Sequence, residues 1–356
     1  MTSTERSAAD VLAGTDCEQV VVVRDRRSGA VAVVAVHDTT AGPAHGGIRR
    51  WAYPALGDAV ADAVALAQAM TWKCALAELP AGGGKAVLLD APGLDRRAAY
   101  RLVGRTVAQL GGTFFTGPDV NTTADDLRVV AAETRFVAIG DDPAEGPGDL
   151  AQATAVGVFA AQQALAAHLG IDLDGATVCV QGTGAVGARL CGLLAEAGAR
   201  LVVADVLPER AAAVAAVHGA RQVATERIAR EPCDLFAPCA LGGVVTEAIA
   251  RELPARGVCG AANNVLANAA AGRVLHARGV PCVPDFVANA GALIQGASWH
   301  LFGERTGLAR LQRIGVTARE LLVRAAAEDV PPGELALAVA RERLARLRAV
   351  CETGKP

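Results

Sequence analysis

The 356-residue sequence predicts a two-domain α/β protein whose second half forms an open parallel sheet. Three observations support this fold class. The chain is longer than a single hydrophobic core usually serves. From about residue 151, short apolar runs alternate with Ala- and Leu-rich runs of helical spacing, which is typical of a parallel sheet covered on both faces. Glycines with the spacing G-x-G-x-x-G follow one of these apolar runs.

The first half of the chain carries signals for both strands and helices. The predicted elements are a hairpin over 18–38, a helix over 58–73, a buried strand after the glycines of 81–84, a helix over 96–110 and a short strand in GTFFTG. The first helix ends at Lys73, the glycine run leads into Lys85, and the last strand precedes Asp119. We therefore expect residues 1–150 to form one domain.

The second half begins with a predicted helix over 151–169 and then alternates strand and helix from ATVCVQG to GVCGAA. This alternation predicts a nucleotide-binding type of sheet over 151–299, with a cleft between it and the first domain. The last stretch, about 300–356, is Arg-, Ala- and Leu-rich and is predicted to be helical. We expect these C-terminal helices to return to the first domain.

Composition argues against several classes of partner. Charged residues make up 20% of the chain and the formal net charge is −3, so no single-sign field is available for nucleic acid or an anionic membrane. No signal peptide is apparent, and we find no apolar run of the roughly 18 residues that span a bilayer. Nine scattered cysteines without a CxxC pair indicate neither a metal site nor a disulfide framework. A cytoplasmic location is expected.

The glycine motif occupies the full context of a dinucleotide-binding fingerprint. Gly182-Thr183-Gly184-Ala185-Val186-Gly187 follows a predicted strand and begins a helix, and Asp205 ends the next strand 18 residues later. The helix N-terminus offers free N–H groups to a pyrophosphate. An acid at Asp205 binds ribose hydroxyls and repels a 2′-phosphate, which favours NAD over NADP. FAD is less expected because the motif lies in mid-chain.

The distribution of lysine is unusual. Only three of the 34 basic residues are Lys, namely Lys73, Lys85 and Lys355, and the rest are Arg. An amine can lose its proton when buried, whereas a guanidinium effectively cannot, so two internal lysines invite a chemical role. With Asp119 they would suit an amino acid, one amine pairing with the α-carboxylate and the other having a lowered pKa. The alternative is that high-GC coding left these lysines by chance.

The order of motifs resembles a known family. GPA-x-GG-x-R, M-T-x-K, GGGKA, D-V-x-T-T, GxGxxG, PCALGG, AANN and PDFVANAG occur here in the order found in the Glu/Leu/Phe/Val dehydrogenases, and are most similar to the leucine, phenylalanine and tryptophan branch. The resemblance implies NAD-dependent, reversible oxidative deamination of an L-amino acid to a 2-oxo acid and ammonia. It implies that Lys73 binds the substrate carboxylate, that Lys85 activates water, and that Asp119 transfers protons.

The same resemblance implies further contacts and an assembly. Gly46 and Gly47 would line the substrate floor, and Asn263 would contact the nicotinamide ribose or the substrate carboxylate. The other expected cofactor contacts are Thr154, Asn289, Val206, Cys239 and Ala240. The first domain is expected to bind substrate and to support a homo-oligomer, a dimer or an octamer.

Three positions depart from the family pattern in the expected side-chain pocket. His45 stands where relatives of the hydrophobic branch have Leu or Met, and Gly296 stands where leucine members tend to have Val. Leu293 stands where the relatives have the Val of a GGV sequence. The enlarged pocket favours an aromatic or branched-chain substrate. Two alternatives remain: a polar or acidic amino acid held by His45, and a catalytically silent paralogue that binds NAD or an amino acid. His45 could also be a packing residue bonded to a backbone carbonyl.

Overall fold

The computed structural model describes residues 7–140, 146–303, 305 and 307–353, so Lys355 lies outside the described residues. The chain forms two compact units. The first contains residues from 1–149, 293–306 and 340–356, and the second contains residues from 150–292 and 307–339. We expected the whole of 300–356 to return to the first domain. Instead, residues 307–339 belong to the second unit, and only the residues before and after them belong to the first.

The first unit is a mixed sheet with helices on its faces. Its elements up to residue 140 are α1 (Ala8–Gly14), β1 (Gln19–Arg24), β2 (Val31–Asp38), β3 (Ala44–His45), β4 (Ile48–Trp51), α2 (Leu56–Leu76), β5 (Gly82–Leu89), α3 (Arg96–Gln109), β6 (Phe114–Phe115) and α4 (Ala124–Ala131). The strand order is β1-β2-β5-β3-β6, and β4 also pairs with β5. The expected hairpin is confirmed as the antiparallel pair β1 and β2.

Strand β5 is the centre of this sheet. It pairs antiparallel with β2 and parallel with both β3 and β4, and all but its last residue are buried. Apolar side chains cover both faces, with α2 packed on the face that carries Val33 and Val87, and with α3 and α4 packed on the face that carries Phe114. A side chain on β5 is thus held by strands on both sides.

A glycine allows α2 to lie directly on β5. A Cβ at Gly83 would come within 2.1 Å of the Thr71 backbone nitrogen and 2.4 Å of the Ala67 carbonyl oxygen, both in α2. Contacts this short do not occur between real atoms, so the helix would have to move. The glycine run that was singled out in the sequence therefore sets how closely the end of α2 approaches the start of β5.

The second unit contains a five-stranded, all-parallel sheet. Its elements are α5 (Leu150–Leu169), β7 (Thr177–Gln181), α6 (Ala185–Glu196), β8 (Arg200–Ala204), α7 (Pro208–His218), β9 (Arg221–Gln222), a 3-10 turn (Ile228–Arg230), β10 (Cys233–Pro238), α8 (Glu247–Glu252), β11 (Ala255–Val258), α9 (Ala269–Ala277) and α10 (Asp285–Ala288). The order β11-β10-β7-β8-β9 is the doubly wound arrangement, in which a ligand binds where the strand order reverses, between β7 and β10.

Three C-terminal helices follow: α11 (Gly291–Phe302), α12 (Leu308–Glu328) and α13 (Pro332–Thr353). Helix α12 packs against α5 in the second unit, and the part of α13 beyond residue 340 belongs to the first. There Arg343 donates to the Ala75 and Leu76 carbonyls at the end of α2, and Arg348 pairs with buried Asp38. The prediction that this region is helical is confirmed.

Helix α5 requires a correction. We expected no apolar segment long enough to span a bilayer, but helix α5 is long and apolar enough to do so by length and composition alone. Its buried residues, including Ala155, Val158 and Leu165, pack within the second unit instead. A core helix of a folded domain satisfies the same test of length and composition, because burial in protein and burial in lipid both select apolar residues.

Substitution of Gly83 tests the contact between α2 and β5. We expect Gly83→Ala to lower the thermal unfolding midpoint by roughly 5–10 °C, because overpacking against helix backbone typically costs about 1–3 kcal/mol or more. Gly333→Ala is the matched control, since a Cβ there meets nothing within 4 Å. Calorimetry of both variants gives the comparison. Equal unfolding midpoints for the two variants would show that α2 can move away from β5 without loss of stability.

Candidate active site

Strand pairing in the first unit places several candidate residues on one face of the sheet. His45 pairs in register with Gly83 on one side and with Phe115 on the other, and both pairings are parallel. Side chains alternate along a strand, so Lys85 shares the face of Gly83. His45, Phe115 and Lys85 therefore project to the same side, with the Cα atoms of His45 and Lys85 about 8 Å apart from strand spacing and rise.

Lys85 and Asp119 form a buried ion pair. The Lys85 Nζ atom lies 2.9 Å from Asp119 Oδ2, and their side chains are 6% and 15% exposed. Burial opposes ionisation of Asp119, but Lys85 and Arg49 outweigh it and hold the pKa of this carboxyl below its ordinary value. Asp119 is therefore a fixed carboxylate at neutral pH. Two residues selected from sequence alone are brought into direct contact.

A second cation extends this pair into a chain of charges. Arg49 Nε lies 3.2 Å from Asp119 Oδ2, and its Nη1 lies 3.1 Å from Asp62 Oδ2 on α2. Asp62 also accepts a hydrogen bond from the Tyr53 hydroxyl. Burial and then Asp62 raise the pKa of the Tyr53 phenol, so it stays a donor. Arg49 belonged to a quoted motif without a role, and nothing in the local sequence marked Asp62 or Tyr53.

Lys73 lies at the end of α2 that touches β5. It is in the last turn of the helix, two residues after Thr71, and Thr71 meets β5 at Gly83, two residues before Lys85. The side chain is partly exposed, unlike that of Lys85. The fold therefore carries one lysine in the core of the sheet and a second at the adjoining helix end.

Two consecutive glycines allow neighbouring backbone to approach the ion pair. A Cβ at Gly47 would lie 2.4 Å from the Pro118 carbonyl oxygen and 2.8 Å from Asp119 Cβ. A Cβ at Gly46 would lie 1.7 Å from the Gly84 carbonyl oxygen. Any side chain at these positions would push Asp119 or β5 away. The predicted floor positions thus lie directly against the residues that hold the charges.

His45 lies in a cluster of aromatic rings, which we call the ring cluster: His45, Phe115 and His300. His45 stacks on Phe115 with ring centroids 5.1 Å apart, and the His300 ring lies 5.5 Å from His45 and 4.7 Å from Phe115. His45 Nδ1 lies 2.9 Å from the Pro43 carbonyl oxygen. Burial and then His300 lower the pKa of His45 to about 4.

Gly296 and Leu293 lie on α11, the helix that also carries His300. Gly296 is buried, yet a Cβ placed there would meet nothing within 4 Å. A buried backbone position with empty space beside it marks a void. Gly296 and His300 are four residues apart, so they lie on the same side of the helix. The void and the ring cluster are consequently neighbours.

The second unit presents a dinucleotide cradle where its strand order reverses. Gly182 follows β7 with φ +96°, and a Cβ there would lie 2.7 Å from that of Ala240, which follows β10. Gly184 begins α6 without a side-chain cap and faces open space, while a Cβ at Gly187 would strike the Gly182 carbonyl oxygen at 2.0 Å. These are the tight turn, open approach and close helix packing that a pyrophosphate site requires.

Asp205 lies at the end of β8, beside this cradle. Its carboxylate accepts hydrogen bonds from the Thr183 and Leu207 backbone N–H groups at 2.7 Å and 2.9 Å. Burial opposes ionisation, but these bonds outweigh it and lower the pKa of the carboxyl. Each oxygen retains acceptor capacity for a ribose hydroxyl. The remaining fingerprint candidates occupy the same loop ends: Ala185 and Val186 start α6, exposed Val206 follows Asp205, and Cys239 donates to the Gln181 carbonyl.

The other expected cofactor contacts also group together in the second unit. Asn289 Nδ2 lies 2.8 Å from Asn263 Oδ1 and 3.1 Å from the Ala261 carbonyl oxygen. Thr154 is buried on α5 beside the same turn, because a Cβ at Gly291 would lie 2.8 Å from its Cα atom. Within the part of the chain that the structure describes, no group of His, Cys, Asp and Glu is arranged to hold a metal ion.

A glycine fingerprint on a parallel sheet, with a separate buried lysine and aspartate pair, is the pattern of a dinucleotide-dependent dehydrogenase. The chain belongs to the Glu/Leu/Phe/Val dehydrogenase family. The family's dimerisation domain matches residues 17–138, and its Glutamate/Leucine/Phenylalanine/Valine dehydrogenase domain matches 146–206 and 204–298. The predicted family and two-domain α/β fold are confirmed, and the protein is an amino-acid dehydrogenase that uses a nicotinamide cofactor.

Individual relatives match along nearly the whole chain. Leucine dehydrogenase of Geobacillus stearothermophilus is 38% identical over 339 residues, which are 94% of this chain and 92% of that protein. Valine dehydrogenase of Streptomyces albus is 40% identical over 344 residues, 93% of each chain. The crystal structure of L-tryptophan dehydrogenase from Nostoc punctiforme aligns with a TM-score of 0.83 at 34% identity, covering 96% of this chain and 99% of that one.

The role of Arg49 is testable through pH dependence. Since Lys85 and Arg49 hold the pKa of Asp119 below its ordinary value, loss of one of these cations must raise that pKa. We expect Arg49→Leu to shift the acidic limb of the kcat/KM profile upward by about one unit or more. Arg50→Leu is the control, because Arg50 pairs with Asp90. An equal shift in both variants would contradict this role.

Proposed function

We propose that the protein catalyses the NAD-dependent, reversible oxidative deamination of a hydrophobic L-amino acid, aromatic or branched. The observation that carries this proposal is the buried contact of Lys85 with Asp119, fixed by Arg49 and adjacent to the helix end that carries Lys73. The leucine, valine and tryptophan dehydrogenases that match this chain support the substrate class. The direct test is NADH formation with each common L-amino acid at alkaline pH.

Lys73 would bind the substrate α-carboxylate. Lys73 is partly exposed at the end of α2, so a ligand can approach its side chain. An ion pair with a carboxylate would anchor the backbone of the amino acid near the face of β5. The glycines at 46 and 47 let the backbone of Gly84 and Pro118 approach closely there, and a side chain at either position would displace that backbone.

Lys85 and Asp119 would transfer protons to and from the attacking water and the amine nitrogen. Oxidation leaves an imine. Lys85, after releasing its own proton to solvent, would accept a proton from the water that attacks this imine. Loss of ammonia from the resulting carbinolamine then requires a proton on nitrogen and yields the 2-oxo acid. Asp119, an ionised carboxylate, would accept the proton of the substrate ammonium and return one to the leaving amine. The nicotinamide, when bound, supplies the redox step by accepting hydride from Cα.

The cofactor is proposed to be NAD. Asp205 faces the cradle as an anion, held by Thr183 and Leu207, so it can accept bonds from both ribose hydroxyls. A 2′-phosphate at that place would meet like charge. Thr154, Asn263 and Asn289 would hold the nicotinamide ribose and carboxamide, since the structure brings the last two into contact.

We further infer a homo-oligomer formed through the first unit. The family model that covers residues 17–138 is described as a dimerisation domain, and β1 is an edge strand of the sheet with exposed side chains. An edge strand has unpaired backbone groups that a second copy can satisfy. Light scattering on the purified protein measures the state, and a monomer at micromolar concentration would contradict it. The enzyme is proposed to act in the cytoplasm.

The proposed roles of the two lysines predict that substitution by Arg affects different kinetic constants at the two positions. Lys85→Arg keeps the charge but cannot release a proton, so we expect kcat to fall about 100-fold or more. Lys73→Arg keeps a cation able to pair with a carboxylate, so we expect mainly a rise in KM. Steady-state kinetics with a good substrate, and NAD binding by fluorescence titration, are the measurements. Normal turnover by Lys85→Arg would refute proton transfer at Lys85.

The choice of cofactor can be tested at Asp205. We expect Asp205→Asn, which keeps hydrogen-bonding atoms but loses the charge, to lower the NAD to NADP ratio of kcat/KM by about 10- to 100-fold. Glu209→Gln is a matched control, because Glu209 lies four residues later in the first turn of α7 and also loses one charge. If wild type prefers NADP, or if both variants change the ratio equally, the proposed role of Asp205 is wrong.

A further inference from the structure

The ring cluster contains an unused hydrogen-bond acceptor. His45 is 3% exposed, and its Nε2 atom has no hydrogen-bond partner within the described residues. Neither nitrogen of His300 makes a hydrogen bond of normal geometry, although the Val137 backbone lies nearby. Buried polar atoms are nearly always paired, so an unpaired one in a cluster indicates a group that arrives with a ligand.

The hydrogen bond at the other side of the His45 ring identifies which nitrogen carries the proton. A backbone carbonyl only accepts, so Nδ1, 2.9 Å from the Pro43 carbonyl oxygen, must be the N–H donor. A pKa of about 4 makes the ring neutral at physiological pH, and a neutral ring has a single N–H. His45 Nε2 is therefore a lone-pair acceptor in a buried place.

Open space lies close to the ring cluster. The void at Gly296 adjoins His300, one helical turn away on α11, and His300 lies against both other rings of the cluster. The cluster is on the face of the sheet that carries Lys85. A substrate held at its α-carbon near Lys85 can direct its side chain along this face, past β3, toward the rings and the void.

We propose that the preferred substrate is an aromatic L-amino acid whose ring carries a hydrogen-bond donor, an indole N–H or a phenol O–H, which His45 Nε2 accepts. This inference rests on the function proposed above and names the side-chain class within it. Phe115 and His300 supply the flat surfaces against which such a ring packs, and the absent side chain at Gly296 supplies the volume.

The same chemistry disfavours the other substrate classes. A glutamate side chain is ionised and brings only acceptors, so it would face the lone pair of His45 Nε2 without a shared proton. An aliphatic side chain would leave Nε2 buried and unpaired, at the cost of a lost hydrogen bond. His45 was expected to bond to a backbone carbonyl, and it does so through Nδ1. Because this bond places the single ring proton on Nδ1, Nε2 remains an acceptor.

The experiment compares substrates that differ only in the donor. L-tryptophan is paired with 3-(benzothien-3-yl)-L-alanine, in which sulfur replaces the ring N–H, and L-tyrosine is paired with L-phenylalanine. We expect kcat/KM for the donor-bearing member of one pair to exceed that of its partner by about tenfold to a hundredfold. The pair that shows the ratio tells whether indole or phenol is the group that binds.

Two variants of His45 locate the effect. We expect His45→Leu, which removes the acceptor, to bring the ratio within that pair to about one. We expect His45→Gln, which retains a side-chain carbonyl acceptor, to preserve most of the ratio. The wild-type substrate pairs test the proposal even if a variant fails to fold, because they need no substitution. A merely structural role of His45 would lower activity on both members equally and leave their ratio unchanged.

The outcomes separate this inference from the proposed function. If no L-amino acid reduces NAD, the proposed function fails. If leucine and phenylalanine are oxidised but neither pair shows a ratio above about two, the inference fails and the function stands. If glutamate is the best substrate, the acceptor assigned to His45 is wrong. A ratio that persists in His45→Leu would also overturn the assignment, since the donor would then be met elsewhere.

Discussion

The first unit depends on placing the Lys85 and Asp119 charges in a buried site without leaving either uncompensated. Removing one partner of a buried ion pair typically costs about 3–5 kcal/mol, because the other charge remains without water. Arg49 and Asp62 extend the arrangement, so that Asp119 Oδ2 meets both Lys85 and Arg49, and Arg49 meets both Asp119 and Asp62. The chain of charges thereby keeps Asp119 ionised and fixed in position before any substrate binds.

Glycines allow the backbone to pack closely around the buried Lys85 and Asp119 charges. Gly46, Gly47 and Gly83 each stand where a Cβ would strike neighbouring backbone, and together they let β3, β5 and α2 close around Lys85. Close packing buries Lys85, whereas Lys73 at the end of α2 is partly exposed to solvent. The first unit consequently carries a fixed carboxylate and a buried amine side by side, with a partly exposed lysine at the adjoining helix end.

Sequence patterns predicted what is local and missed what is brought together by tertiary structure. The hairpin, the long helix before Lys73 and the glycine fingerprint follow from period and turn chemistry, and the structure confirms them. The partners of Asp119 could not be found that way, because Arg49 and Asp119 are 70 residues apart and join only through strand order. His300 meets His45 for the same reason, and α12 packs in the second unit because its apolar stripe matches α5.

The charges around Asp119 and the ring cluster differ in whether their polar atoms have partners within the protein. Around Asp119, every charge is paired within the protein, so the geometry persists without a ligand and electrostatic stabilisation needs no rearrangement. In the ring cluster, one nitrogen is satisfied by backbone and the other is left unpaired. In the proposed function the satisfied cluster would carry the chemistry, and the unsatisfied one would select the substrate side chain, because only a side chain with the complementary group removes the cost of burial.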